Sequence, residues 1–213
     1  EEDVEVLVLE GLQVGVGWRL LVLVVVSLVA ARLGARRRGG QAPLLTSASG
    51  CGAHLKQYGR LLGTDNADAL AARVTDIAWF LADGGWPDGI RLLPLQARVA
   101  VHDPCSLVNA MVHADGVYRL LARIPGLRAE PLADNRTCCG AAGTYMIQQP
   151  AMSEALGADK IERLRQAAPD LVVTSNPGCA LQLRAGLRGL DLGLEVLHPI
   201  ELIARQLPDP AKL

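Results

Sequence analysis

The stretch VVTSNPGCALQL, residues 172–183, decides the fold of this protein of 213 residues. It begins with two valines, as in a buried strand, and it passes through the turn residues Asn176, Pro177 and Gly178. The residues that follow, from Cys179 to about Arg188, have the pattern of a helix. A strand that runs through a short turn into a helix is the building unit of α/β proteins.

The same alternation extends outward over the second half of the chain. We predict strands over residues 97–102, 128–132, 170–174 and 194–197, and helices over 106–123, capped by Ser106, over 151–168, over 179–188 and from Pro199 onward. Strands that alternate with helices predict an α/β fold with a mostly parallel sheet and flanking helices.

The deciding stretch has a counterpart 128 residues earlier. LLTSASGCGAHL, residues 44–55, shares with it an apolar pair, Thr-Ser, Gly-Cys and a final leucine. We therefore predict two related units, of which the first, over residues 1–94, is damaged and the second, over 95–213, is complete. The first unit should contain a strand over 4–10, helices over 51–62 and 65–83, with Asp65 as the N-cap, and a boundary in the Gly- and Pro-rich stretch 84–94.

The stretch from Leu12 to Ala42 consists almost entirely of Gly, Val, Leu, Arg and Ala. Its longest uncharged part, Leu20 to Ala31, is shorter than the roughly 20 residues of a transmembrane helix. A membrane segment, a buried helix or strand, and a sequence read in a shifted frame are three interpretations of it.

The composition excludes several classes of protein. Half of the residues are hydrophobic, a fifth are charged and the net charge is −1, which excludes a disordered chain and a polybasic nucleic-acid binder. Only 3% are aromatic, so a surface that stacks bases is not expected either. The chain opens on Glu1-Glu2-Asp3, unlike a secretory signal, so we expect a cytoplasmic protein with reduced cysteines.

The five cysteines then indicate metal or redox chemistry: Cys51, Cys105, Cys138, Cys139 and Cys179. The last four follow three predicted strands of the second half, and the carboxyl ends of parallel strands share one edge of a sheet. Four thiolates at that edge suit a soft metal or an iron–sulfur cluster. An adjacent pair such as Cys138-Cys139 is a poor zinc chelate, because zinc ligands are usually spaced by two to four residues.

Residues next to the cysteines are also suited to an iron–sulfur cluster. Gly140 and Gly52 would let the backbone approach a bulky cluster, and the helix starts after Cys105 and Cys179 would offer N–H groups to sulfur. His102 is expected to donate a hydrogen bond to sulfur or to cap its turn. Cys51, considered alone, is as consistent with a small buried side chain as with a ligand.

Three motifs resemble the cysteine-rich CCG domain: HDPC at 102–105, TCCGAAGTY at 137–145 and NPGCALQL at 176–183. This family includes the iron–sulfur subunit of glycolate oxidase (glycolate dehydrogenase), the catalytic subunit of heterodisulfide reductase and iron–sulfur proteins of lactate utilisation. The stretches 46–62 and 198–207 also resemble the carboxy-terminal part of the glycolate oxidase subunit.

The resemblance implies an electron-transfer subunit of a flavin-dependent glycolate (2-hydroxyacid) dehydrogenase, rather than its substrate-binding subunit. Cys105, Cys138, Cys139 and Cys179 would hold a [4Fe–4S] cluster, with Cys51 as an auxiliary or vestigial ligand. Its partners would be flavoprotein subunits, and its electrons would eventually reach a quinone-type acceptor. The protein would be cytoplasmic, with peripheral contact to the inner face of the cytoplasmic membrane.

Three departures from the family pattern keep alternatives open. The first CCG motif and the ferredoxin-like CxxCxxC runs are absent, and Gln182 stands where the full motif places its last cysteine. A thiol or disulfide reductase of the heterodisulfide reductase type and a structural remnant without a cluster are therefore the alternatives.

Overall fold

The structure is a computed structural model that describes residues 42–190 and 192–208. The strand predicted over 4–10 and the interpretations of the stretch from Leu12 to Ala42 lie outside the described residues, Ala42 excepted. Among the helices that the structure does describe, none combines the length and the apolar character needed to cross a membrane.

Within the described residues, six strands form two parallel sheets. The strands are β1 (Leu44–Thr46), β2 (Val74–Asp76), β3 (Arg98–Val101), β4 (Arg128–Pro131), β5 (Leu171–Val173) and β6 (Glu195–Leu197). The first sheet pairs β1 with β2, and the second has the order β4-β3-β5-β6, with every pair parallel.

Helices connect these strands. They are α1 (Ser49–Leu55), α2 (Tyr58–Leu62), α3 (Asp65–Arg73), α4 (Ile77–Phe80), α5 (Ala114–Leu121), α6 (Tyr145–Gln148), α7 (Pro150–Ala167), α8 (Pro177–Leu187) and α9 (Pro199–Arg205), with π-helical turns at Leu81–Gly85 and Leu107–Met111. The predicted α/β class with parallel sheets and flanking helices is confirmed.

The repeat seen in the sequence has a structural counterpart. β1 leads into α1 and pairs with β2, just as β5 leads into α8 and pairs with β6. The Asp76 carboxylate caps the helix after β2 and accepts two backbone N–H groups, and the His198 imidazole caps the helix after β6 and accepts one. The two stretches that share the Thr-Ser and Gly-Cys pairs therefore occupy equivalent places in two similar units.

The sheet of the second unit is covered on both faces. Val99, Val101 and Val173 face the larger apolar cluster, which also includes residues of β1 and β2. Ala100 and Val172, their neighbours along the strands, face a second cluster with Leu164 of α7 and Leu183 of α8. Alternate residues of the central strands β3 and β5 thus pack in opposite directions, and both faces of these two strands meet apolar clusters.

The prediction of a single helix over 65–83 is wrong for the middle of this stretch. Residues Val74–Asp76 form β2, so the region contains α3, a strand and α4 instead of one helix. The N-cap of α3 is Thr64, whose hydroxyl accepts the Ala67 N–H at 3.3 Å, and not Asp65. The helix predicted over 51–62 is likewise two helices, α1 and α2.

The helix predicted over 106–123 is also interrupted. A π-helical turn ends at Val112, which has a positive φ of 58°, and α5 begins only at Ala114. The Ser106 side chain does not cap this turn. Its hydroxyl instead lies 2.9 Å from that of Ser49, so a contact between the two units replaces the predicted local one.

Asp76 provides a test of the first unit's stability. Its side chain is fully buried, and burial raises its pKa from 3.8 to about 6 although its carboxylate caps α4. Because the folded state binds this proton more tightly than the unfolded state, the contribution of Asp76 to stability is greatest below pH 4 and is lost as the pH rises through 6. Asp76→Asn keeps the capping oxygen and removes the charge.

We expect Asp76→Asn to raise the free energy of unfolding at pH 7.5 by up to about 3 kcal/mol and to leave it nearly unchanged near pH 4. Urea unfolding of the metal-free chain at several pH values measures this. A difference between variant and wild type that does not change with pH would contradict the assignment.

Candidate metal centre

Cys105 is held at the end of β3 by a short polar network. The Asp103 carboxylate accepts hydrogen bonds from the Tyr118 hydroxyl at 2.8 Å and from the Asn135 amide at 2.9 Å. The same amide group of Asn135 donates to the Val101 carbonyl at 2.8 Å. These bonds join the loop before Cys105 to the loop that leads from β4 to Cys138, so the two loops are positioned together.

Cys138 and Cys139 lie in a loop that packs against α7. The Gly140 N–H donates to the Cys138 sulfur at 3.3 Å, and the Gly140 carbonyl accepts the Ser153 hydroxyl at 3.0 Å. Gly140 has a φ of +88°, and a Cβ there would lie 2.5 Å from the Ser153 carbonyl oxygen. Glycine is therefore required for the turn and for the contact with the helix, which differs from the close approach to a cluster that the sequence suggested.

Gly52 has a similar packing role. A Cβ there would lie 2.5 Å from the Thr46 hydroxyl oxygen and 3.0 Å from the Met111 methyl group. This glycine lets α1 pack closely on β1 and on the turn after Cys105.

Cys179 lies in the first turn of α8. The Asn176 side chain caps this helix and accepts the N–H groups of Gly178 at 2.9 Å and of Cys179 at 3.3 Å. The helix starts at Pro177, two residues earlier than the sequence suggested, so Cys179 is inside the helix and buried.

The structure brings four of the five cysteines together. The ligand atoms of His102, Cys139 and Cys179 all lie within 4.8 Å of one another and are buried. Cys105, which is exposed, is hydrogen-bonded to Cys138, and its thiol also interacts electrostatically with Cys139. The segments that follow β3, β4 and β5 therefore bring their cysteines into one group of sulfurs.

Cys51 is placed differently. It lies in the first turn of α1, is exposed, and is not among the three donors, His102, Cys139 and Cys179, that lie within 4.8 Å of one another. Cys51 thus differs from the other four cysteines in its element, since it lies on α1 and not after β3, β4 or β5.

The thiols of the group have very different proton affinities. Hydrogen bonds from the Cys179 thiol and from His102 lower the pKa of Cys139 to about 4. The pKa of Cys179 is raised because its proton is held by Cys139 and because the side chain is buried. Burial and the neighbouring Cys138 raise the pKa of Cys105. Without a metal, the Cys139 thiolate is therefore stabilised, whereas Cys105 and Cys179 hold their protons.

This donor set fits a soft metal centre. Sulfur ligands converge from three separate segments of the chain, and no carboxylate is among the three buried donors that lie together. Cys139 and Cys179 are buried, whereas Cys105 is exposed, so the centre would be shielded on one side and reachable on the other.

Several supporting residues were not predicted from the sequence. The Thr174 hydroxyl lies 3.0 Å from His102 Nδ1 and fixes the imidazole that is hydrogen-bonded to Cys139. The Gln182 amide donates to the Ser153 carbonyl at 2.9 Å, so the residue at the place of the missing cysteine ties α8 to α7. The sequence signal that could have drawn attention to Thr174 is the Thr-Ser pair that the two repeats share.

The first unit also contacts the site. The Ser49 N–H donates to the Ser175 carbonyl at 3.2 Å, and the Asn176 amide donates to the Ser49 hydroxyl at 3.3 Å. Because Ser106 follows Cys105 and Asn176 caps the helix of Cys179, α1 supports residues beside two of the four cysteines.

Comparison with known proteins identifies a family for the part of the chain that contains this site. Residues 99–184 match the family model of the cysteine-rich CCG domain, so the chain carries a domain of this family, and the resemblance seen in the three motifs is confirmed. The matched region contains all four clustered cysteines.

Individual relatives include the "Glycolate oxidase iron-sulfur subunit" of Escherichia coli (strain K12), 32% identical over 79% of this chain and 40% of that protein. A subunit of the fumarate reductase (CoM/CoB) of Methanothermobacter marburgensis is 33% identical over 77% of this chain and 32% of that protein. "Lactate utilization protein A" of Geobacillus kaustophilus is 27% identical over 75% of this chain and 69% of that protein. The chain thus spans well under half the length of the first two relatives.

Proposed function

We propose that Cys105, Cys138, Cys139 and Cys179 hold an iron–sulfur cluster of the [4Fe–4S] type. The observation that carries this proposal is the convergence of these four side chains at one sheet edge, with two of them buried beside His102. Such a cluster, when bound, accepts and releases single electrons. Two relatives whose names describe iron–sulfur subunits support the same cofactor.

The chain would then transfer electrons in a flavin-dependent glycolate (2-hydroxyacid) dehydrogenase. Its partners would be flavoprotein subunits that bind the substrate, and electrons would pass on toward a quinone-type acceptor. The location would be the cytoplasm, with contact to the inner face of the membrane where a quinone is reached.

In this proposal the chain comprises two units. Residues 95–213 are the complete CCG repeat that holds the cluster. Residues 1–94 are a degenerate first repeat, which retains β1, α1 and β2, and Cys51 is its vestigial or auxiliary ligand. The hydrogen bonds of Ser49 with Ser106 and Asn176 support a structural role for this unit.

A thiol or disulfide reductase is the second candidate. It is favoured by the low pKa of Cys139, because a stabilised thiolate beside another thiol, here Cys179, is the arrangement that such enzymes use. Gln182 in place of the last cysteine argues against the heterodisulfide reductase type. A structural remnant without a cluster remains the third prediction.

Anaerobic reconstitution tests the leading proposal. We expect the full chain, incubated with ferrous iron and sulfide and then desalted, to retain about four irons and four sulfides per molecule. It should also give a cluster signal in electron paramagnetic resonance after reduction.

The outcome separates the three candidates. A chain that retains no iron but reduces a small disulfide, with loss of that activity in Cys139→Ser, would establish the reductase. A chain that does neither would leave only the remnant.

A further inference from the structure

Lys160 is a buried cation that the proposed electron transfer does not use. It lies in the middle of α7 and is 0% exposed. Lysine is almost never fully buried unless its charge is compensated. Among the residues that the structure describes, its ammonium group contacts a backbone carbonyl and no carboxylate. Within the described residues, no other side chain therefore compensates this positive charge.

The carbonyl that Lys160 contacts belongs to the turn before the cysteine pair. Its Nζ donates to the Asp134 carbonyl, which also accepts the Thr137 N–H at 3.1 Å. The Thr137 hydroxyl donates to the Asp134 carboxylate at 2.7 Å, which closes the same turn a second time. Cys138 follows directly, so the ammonium group fixes the turn that sets the position of this ligand.

A second residue of α7 holds the other end of the same loop. Ser153 donates to the Gly140 carbonyl, and it precedes Lys160 by seven residues, or about two helical turns, so both lie on one face of the helix. The loop from Asp134 to Gly140, with Cys138 and Cys139 inside it, is thus fixed at its two ends by α7.

We propose that Lys160 is a positioning residue and the counter-charge of the cysteine centre. This inference rests on the proposed function, because a cluster held by four thiolates has a net negative charge. A positive charge kept away from solvent close to such a group stabilises it more than an exposed charge does. The burial of Lys160 is then explained by the anionic group that the loop binds.

The variant Lys160→Met tests this inference. Methionine has a similar length and no charge, and replacing a buried ion by an apolar side chain often leaves stability unchanged or raises it. The control is Arg165→Met, which removes a positive charge from α7 at a site where the side chain is 62% exposed. Both variants and the wild type are reconstituted with iron and sulfide as full-length chains.

We expect metal-free Lys160→Met to have a thermal midpoint at least as high as that of metal-free wild type. The reconstituted variant should lose its iron to a chelator at least about 10-fold faster than wild type, the size of effect that outer residues have at metal sites. It should also have a lower midpoint potential, because the reduced cluster carries more negative charge. Arg165→Met should match the wild type in all three measurements.

Two results would overturn the inference. A large loss of thermal stability in metal-free Lys160→Met would show that the lysine serves the fold alone. Equal iron release and equal potential in a stable variant would show that its charge does not act on the centre. Failure of the wild type itself to bind iron is a different result, which rejects the proposed cluster and the counter-charge with it.

Discussion

The double variant Cys138→Ser/Cys139→Ser should retain no iron after anaerobic reconstitution, whereas Cys51→Ser should retain as much as wild type. Each member of the pair interacts with a different partner, Cys138 with Cys105 and Cys139 with Cys179. The double substitution therefore removes a ligand from both sides of the group. Serine offers a hard oxygen with a high pKa in place of a soft thiolate, so it does not replace the lost sulfur.

Iron and sulfide analysis and the electron paramagnetic resonance spectrum measure this result. Cys51→Ser is a matched control, since it makes the same chemical change at an exposed cysteine of α1 that is outside the proposed set of four ligands. Full iron retention by the double variant would contradict the proposed ligand set. Loss of iron in Cys51→Ser would make Cys51 a ligand and bring the first unit into the site.

The α/β class could be predicted from the sequence because strands and helices of the second half follow one another with clear turns. The strand at Val74–Asp76 could not be predicted in this way. Apolar residues at positions 74, 77, 78 and 81 have the spacing of a helix, so the local pattern favours one helix through this region. Pairing with Leu44–Thr46, about thirty residues away, decides the conformation, and periodicity does not report such pairing.

The candidate site, like the fold, could be predicted from the sequence only in part. The proximity of Cys105, Cys138 and Cys179 was expected because parallel strands place their carboxyl ends together. Lys160 gave no such signal, because it lies between Asp159 and Ile161 in a helix rich in charged residues and resembles a solvated side chain. Its burial follows from the way α7 packs over the loop that ends at Gly140, which is a property of the tertiary structure.

Gly140→Ala should destabilise the metal-free protein by about 3–4 kcal/mol and prevent stable iron binding. Two costs add at this position. A non-glycine residue with a φ of +88° is strained by about 1–3 kcal/mol, and the new Cβ would lie 2.5 Å from the Ser153 carbonyl oxygen. That oxygen is part of the α7 backbone, so it does not move aside as a flexible side chain would, and overpacking of this kind costs a further 1–3 kcal/mol or so.

Gly143→Ala is the control for this prediction. Gly143 also has a positive φ, of 55°, but nothing lies within 4 Å of a Cβ placed there. It should therefore show only the conformational cost, about 1 kcal/mol, and normal iron retention. Urea unfolding and iron analysis of both variants separate strain from steric overlap. Equal effects of the two substitutions would mean that the contact between the cysteine loop and α7 does not hold the ligands in place. A larger effect at Gly140 would show that the third residue of the Cys-Cys-Gly motif serves the packing of this loop on α7.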